Sequence, residues 1–330
     1  MGNTTTMHLA VSLDLTSMST PDFGLVAGLA RKAEEAGLDM AIIVDSAPGS
    51  AHSSSSFEAT TLLAALATVT SRIGLVARAS TIAHQPYNLA RRFASLDIIS
   101  HGRTGWNATV AQSPREAANF SRPEGFSDED FRRRAEEFIG IVQGLWQGWD
   151  PDALLFDKSG GRFHDPDKMH LLDHKGEFFS VRGPLNVARS PQDMPVLVLS
   201  DLSEPDMDVA ARTADVILLD DGPAGGAKAR LDDLKRRVMA AGRDPDAVRV
   251  LMNVSLAAGG GPDAIADRLE ERFQSRSCDG FNILMPARGP ALDDFVDRVV
   301  PELRRCGLVR GGYRGTTLRS HLGLAGGGEQ

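Results

Sequence analysis

Eight alternations of a strand-length apolar run with a helical pattern predict a (β/α)8 barrel, and three observations carry that reading. Runs such as Met40-Ala41-Ile42-Ile43-Val44 are apolar throughout, the pattern of a parallel strand covered on both faces. Eight is the number of strands that closes such a sheet without leaving an edge. The runner-up, a doubly wound open sheet, lacks its usual support. No Gly-x-Gly-x-x-Gly turn follows the first strand, and Gly24 and Gly28 fall inside the first helix.

Taken in order, Met7 to Leu13 reads as the first strand and ends at Asp14, and Thr20-Pro21-Asp22 opens a helix that runs to Gly37. The Met40–Val44 strand stops at Asp45, and a serine-rich loop, 46–56, leads to a helix over 57–70. Strand Ile73 to Ala77 carries Arg78 at its end. Leu89, Phe93, Leu96 and Ile99 lie at helical spacing, with Gly102 as the stop, and the segment Gly105 to Ala111 reads as a strand taking Trp106 and Asn107 into the interior. Ser113-Pro114 caps the next helix, and Ser127-Asp128-Glu129-Asp130 caps another that ends near Trp146. From 150 to 192 the alternation stops. Strands Pro195 to Leu199, Val216 to Leu219, Val248 to Leu256 and Phe281 to Met285 then follow, each with its helix, the last spanning Leu292 to Arg305. The organisation expected is one domain over 1–330, with 150–192 as an inserted loop or hairpin region and 307–330 as a C-terminal tail.

Composition narrows the function. The 330 residues carry a net charge of −8 without a sustained Lys/Arg run, which argues against nucleic acid or an anionic membrane as partner. No apolar stretch approaches the ~20 residues of a membrane span, and the N-terminus lacks a signal pattern, so a cytoplasmic protein is expected. Cys278 and Cys306 read as idle thiols. His164, His170 and His174 match no standard zinc spacing, so no metal is expected.

Barrel chemistry belongs to the C-terminal strand ends and the loops beyond them. That rule selects Asp14, Asp45, His52, Arg78, His84, Asn107, Gln112, Ser200, Asp201, Ser203, Asp220 and Asp221. Each has a plainer reading as a helix cap or solvated loop residue; as a group they locate the mouth. Gly259-Gly260-Gly261, after the seventh strand, is either a phosphate loop or a tight turn, the turn being favoured.

At Phe93-Ala94-Ser95-Leu96-Asp97 through Gly105-Trp106-Asn107, and at Ala117-Ala118-Asn119-Phe120, Arg134-Ala135-Glu136-Glu137-Phe138, Val181-Arg182-Gly183-Pro184-Leu185-Asn186 and Asp279-Gly280-Phe281-Asn282, the sequence resembles the bacterial luciferase-like flavin monooxygenases. The branch it is similar to contains nitrilotriacetate monooxygenase, the pristinamycin IIA synthase subunit and dibenzothiophene sulfone monooxygenase. The resemblance implies a barrel, reduced FMN supplied by a separate flavin reductase, oxygenation of a small organic or secondary-metabolite substrate, and a homodimer. It places Asp45 and Asn107 beside the flavin ring, and Ser200, Ser203 and Arg132 on the phosphate side.

Several positions depart from the family pattern. Arg78 replaces a small hydroxyl residue and Arg132 a tyrosine. Leu199-Ser200-Asp201-Leu202-Ser203 stands for Gln-Ala-Gly-x-Ser. The segment after the seventh strand is cut to 257–261, and Asp14 runs almost directly into the first helix. Two alternatives therefore accompany the flavin monooxygenase. One is a flavin-independent oxygenase, lyase or cyclase in which Arg78, His84 or His52 acts on the substrate. The other is a non-catalytic partner subunit.

Overall fold

The computed structural model describes residues 6–18, 20–45, 57–111, 117–120, 124–220, 226–256, 261–286 and 290–326. Strands β1 (His8–Asp14), β2 (Met40–Val44), β3 (Gly74–Ser80) and β4 (Thr104–Thr109) form the first half of the barrel. Two short antiparallel hairpins follow, β5 (Leu154–Asp157) with β6 (Arg162–His164) and β7 (His174–Lys175) with β8 (Ser180–Val181). Strands β9 (Val196–Leu199), β10 (Val216–Asp220), β11 (Arg249–Ser255) and β12 (Gly280–Pro286) complete a closed parallel barrel in the order β1-β12-β11-β10-β9-β4-β3-β2. The main covering helices are α1 (Phe23–Glu35), α2 (Ala59–Ala67), α3 (Pro86–Ile99), α4 (Asp128–Trp146), α5 (Met207–Thr213), α6 (Ala227–Ala240) and α7 (Pro262–Gln274).

Side chains alternate across each strand, so every second residue faces the barrel axis. The lower interior is filled by Ala10, Met40, Ile42, Val76, Val196 and Val198. Trp106 and Asn107 therefore cannot share a face. Asn107 points inward, whereas Trp106 points outward against Phe93, Phe138 and Trp146, with ring centroids 6.0, 6.1 and 6.3 Å away. This corrects the expectation that both side chains enter the interior.

Other boundaries shift for local reasons. Helix α1 is capped by Asp22, whose carboxylate accepts the Leu25 N–H at 3.0 Å, two residues beyond the Thr20 signal. The last long helix is not uniform. It runs as α8 (Ala291–Asp294), a π-turn over Phe295–Val299 and α9 (Val300–Arg305). Pro301 has no N–H for an ordinary helical bond, and the wider turn just before it absorbs the break. The serine-rich loop, Gln112, Ser113-Pro114, Asp221 and 257–260 lie outside the described residues.

The C-terminal tail closes the barrel from below. In α10 (Leu318–His321) and the turn after it, Leu318, Leu322 and Leu324 join the interior cluster. Glycine is what admits Leu318: a Cβ on Gly74 would lie 2.3 Å from its Cδ1. Arg319 anchors the plug through Asp215 at 2.7 Å and the Met194 carbonyl at 2.9 Å. Asp97, from the Phe93–Asp97 motif, ties α3 to the start of β4 and to the approach to β9. It accepts the Thr104 N–H at 2.9 Å, the Gln192 amide at 2.7 Å and the Ser190 hydroxyl, and burial pushes its carboxyl up to about 6.

Two outcomes are expected. Gly74→Ala should cost about 1–3 kcal/mol in denaturant unfolding and Leu318→Ala about 2–5, while the double variant should cost less than their sum, because the shorter side chain relieves the clash. His321 is held at about 4 by burial and by Arg310, Arg72 and Arg103, with Asp39 opposing. Its folded-state pKa lies below its unfolded one, so the stability it contributes is full above about 6.5 and is lost as the pH falls towards 4. Wild type should therefore lose about 3 kcal/mol more than His321→Gln between pH 6.5 and 4, by urea unfolding at each pH.

Candidate active site

Above the apolar floor the inward residues turn polar. At the C-terminal mouth, Ser12 of β1, Arg78 of β3, Asn107 of β4, Ser200 beyond β9, Asp220 of β10, Asn253 of β11 and Asn282 of β12 surround a cavity of about 380 Å³. Register explains their common height. Asp220 pairs with Asn253 and Asn253 with Asn282 across β10, β11 and β12, and Arg78 pairs with Asn107 across β3 and β4.

These groups form two hydrogen-bonded arcs. In one, the Asn253 amide donates to Asp220 Oδ1 at 2.9 Å, the Asn282 amide donates to Asn253 Oδ1 at 2.8 Å, and Asn282 also donates to Ser12 Oγ at 2.9 Å. Burial without partners would be costly for such amides, and the chain of bonds removes that cost. In the other arc the Asn107 amide donates to Ser200 Oγ at 3.1 Å, and Arg78 Nη1 reaches Asp201 Oδ2 at 3.3 Å. Arg78 Nε also donates to Thr109 Oγ1 at 3.3 Å. Asp201 has φ 56°, the left-handed conformation, which aspartate tolerates better than most residues and glycine adopts freely. That backbone accounts for an aspartate standing where the resembling family carries glycine.

The remaining sequence candidates are placed differently. Asp45 follows β2 and accepts the Ala59 N–H at 2.9 Å; with the Glu58 side chain it caps α2, and burial raises its pKa against that bond. His84 Nδ1 sits 2.9 Å from the Ser80 carbonyl, which only a donor can satisfy, leaving Nε2 to accept from Arg92 at 3.2 Å. Ser203 donates its hydroxyl to Asp206 and its backbone N–H to the same carboxylate at 2.9 Å, closing a turn. Arg132 is half-buried on α4 and makes no ion pair or hydrogen bond among the described residues. His52 lies outside the described residues. Arg78, Asn107 and Ser200 thus come together at the cavity; His84, Ser203 and Arg132 do not line it.

The strand-end rule missed Ser12, Asn253 and Asn282. A signal was present: each is polar inside an apolar strand and lies in phase with the inward face. The excursion histidines have local partners. His170 pairs with Asp150 at 3.0 Å, His174 with Glu137 at 2.9 Å, and the His164 ring meets Trp149 edge-on.

A closed parallel barrel with a polar mouth defines a TIM-barrel enzyme scaffold. A family model described as luciferase-like monooxygenase matches residues 5–292, and the chain belongs to that family. It is 33% identical to N-acetyl-S-(2-succino)cysteine monooxygenase of Bacillus subtilis (strain 168) over 390 residues, covering 90% of this chain and 88% of that one. The alignment is longer than the 330-residue chain, so that relative carries segments with no counterpart here. Nitrilotriacetate monooxygenase component A of Aminobacter aminovorans is 35% identical, over 80% of this chain and 78% of that one. Among solved structures, the EDTA monooxygenase of Chelativorans sp. BNC1 superposes with a TM-score of 0.86 at 25% identity, covering 97% of this chain and 98% of that one. A riboflavin lyase, solved with a modified FMN and its substrate riboflavin, gives a TM-score of 0.86 at 25% identity, covering 97% and 96%.

The left-handed backbone at position 201 has a direct consequence. Asp201→Gly is expected to change stability by less than about 0.5 kcal/mol, whereas Asp201→Val should cost about 1–3 kcal/mol, measured by chemical denaturation.

Proposed function

We propose that this chain is a flavin-dependent monooxygenase of the two-component kind, taking reduced flavin from a separate reductase and oxygenating a small organic substrate at the barrel mouth. The observation that carries the reading is the ring of inward polar side chains around an open cavity, with Asn107 held by Ser200, in a member of the luciferase-like family. A relative named as component A of its monooxygenase supports the separate reductase.

A flavin ring fits these residues. Asn107 uses one amide N–H on Ser200 and keeps a second for the polar edge of a planar heterocycle. Val44, Leu218, Leu284 and Met285 supply apolar wall that excludes water. Bound reduced flavin supplies the electrons that activate dioxygen. The chain's share is to orient the ring and the substrate and to keep the pocket dry.

A flavin phosphate does not fit the described residues on the β9 side. Among the described residues, Asp14, Asp201 and Asp220 line the mouth against one guanidinium, that of Arg78. Both donors of Ser203 are committed to Asp206. Each facing carboxylate opposes a phosphate by about 1–2 kcal/mol in a partly solvated site. A flavin without its phosphate meets no such penalty; the similar riboflavin lyase was solved with both a modified FMN and riboflavin, the latter as its substrate.

A second reading is favoured by the Arg78–Asp201 pair. In it the mouth acts on substrate without flavin, and Arg78 binds the substrate's anionic group. Turnover by flavin-free protein would support it; strict dependence on added reduced flavin would end it.

Fluorescence titration tests the leading reading. Riboflavin is expected to bind at least as tightly as FMN, and Asp201→Gly should tighten FMN about tenfold while moving riboflavin less than about twofold. Folded protein that quenches neither flavin, oxidised or reduced, would contradict the reading.

A further inference from the structure

The closed end of the barrel holds a second cavity, of about 280 Å³, whose lining includes His8, Asp39, Arg249, Arg310, Arg314 and His321. Among the described residues three guanidinium groups face it against one carboxylate, in a chain whose net charge is −8. The one carboxylate is already engaged: Asp39 pairs with Arg310 Nη1 at 2.8 Å and accepts the Leu9 N–H at 2.8 Å. His8 Nδ1 lies 3.5 Å from the same carboxylate.

The other two cations, Arg249 and Arg314, have no carboxylate partner among the described residues. Arg249 spends its donors on the carbonyls of Leu322, Asp246 and Gly323, which bear no formal charge. Arg314 is exposed, and its guanidinium has no partner among the described residues. Arg310 Nε is buried without a hydrogen bond among the described residues.

His321 is the clearest sign of a ligand. It is 3% exposed, yet among the described residues neither ring nitrogen has a partner. Its ring is fixed by Tyr313 at a centroid distance of 4.7 Å, and the Tyr313 hydroxyl donates to the Leu38 carbonyl at 2.7 Å. Buried polar groups are almost always satisfied, so a lining histidine with two idle nitrogens points to an occupant of the cavity. A water could occupy one nitrogen but would leave the positive charge uncompensated.

We propose that this cavity binds a phosphoryl dianion, either free phosphate or a small phosphomonoester, held by Arg314, by Arg310 Nε and by a ring N–H of His321. His321 ends the plug helix, whereas Arg310 lies on the segment leading to it and pairs with Asp39 beside β2. The anion therefore joins the C-terminal plug to the base of the barrel, remote from the mouth, and stabilises the folded chain by binding it alone.

The test is equilibrium binding on the full chain, with inorganic phosphate and glycerol phosphate as separate probes at fixed ionic strength set with chloride. Saturable binding of one anion per chain is expected, with a rise in Tm, a saturable shift of one histidine ring signal in NMR, and at least tenfold weakening in Arg314→Gln. Arg314 is exposed, so that variant should fold. Tighter binding of glycerol phosphate assigns the monoester; equal or tighter binding of inorganic phosphate assigns the free ion. Arg132→Gln, on α4 and outside the lining of this cavity, should bind as wild type does. No saturable binding, an equal response to chloride alone, or loss of binding in Arg132→Gln rather than Arg314→Gln would overturn the proposal.

Discussion

Closing eight parallel strands on themselves imposes the constraint from which the rest follows. Each strand must send alternate side chains to the axis, and their heights are fixed by register. At the lower levels the chain supplies apolar residues and, at Gly74 and Gly105, the space that Leu318 enters. At the upper level it supplies amides, hydroxyls and charge. The same alternation sends Trp106 out to Phe93, Phe138 and Trp146 while its neighbour Asn107 goes in. A motif that is continuous in sequence thus divides its work between core packing and the site.

The two ends of the barrel differ in charge as well as polarity. The mouth is rimmed by Asp14, Asp201 and Asp220 with Arg78, whereas the base gathers Arg249, Arg310 and Arg314 around Asp39. Asp201 is informative because its backbone explains its tolerance and its carboxylate explains its consequence. The left-handed conformation accepts an aspartate, and the aspartate then takes Arg78 as partner. A residue that a glycine could replace without strain thus places a carboxylate at the mouth.

Much of the architecture was legible in the sequence because apolar periodicity reports burial. All eight barrel strands and the long capped helix α4 follow from pattern and caps. Family membership was legible from Phe93–Asp97 and Gly105-Trp106-Asn107, and the family model agrees with it. The site was legible only in part. Strand-end position found Asp14, Arg78, Asn107, Ser200, Asp201 and Asp220, but not Ser12, Asn253 and Asn282, whose meaning depends on closure and register. The tail's role as a plug was hidden for a related reason: Leu318, Leu322 and Leu324 show a short apolar pattern, but nothing local says that glycines far away leave room for them. His84 and Ser203 looked available because their partners, Ser80 at the end of β3, Arg92 on α3 and Asp206, are set by local geometry that a spacing argument does not resolve.

The central claim is that the polar ring around Asn107 receives a flavin ring. A crystal structure of the chain grown with saturating riboflavin tests it most directly. The account predicts ring density inside the mouth, with a polar edge within hydrogen-bond distance of the Asn107 amide and the ribityl chain leading out over Asp201. A mouth without flavin, or a flavin bound elsewhere on the chain, would contradict it.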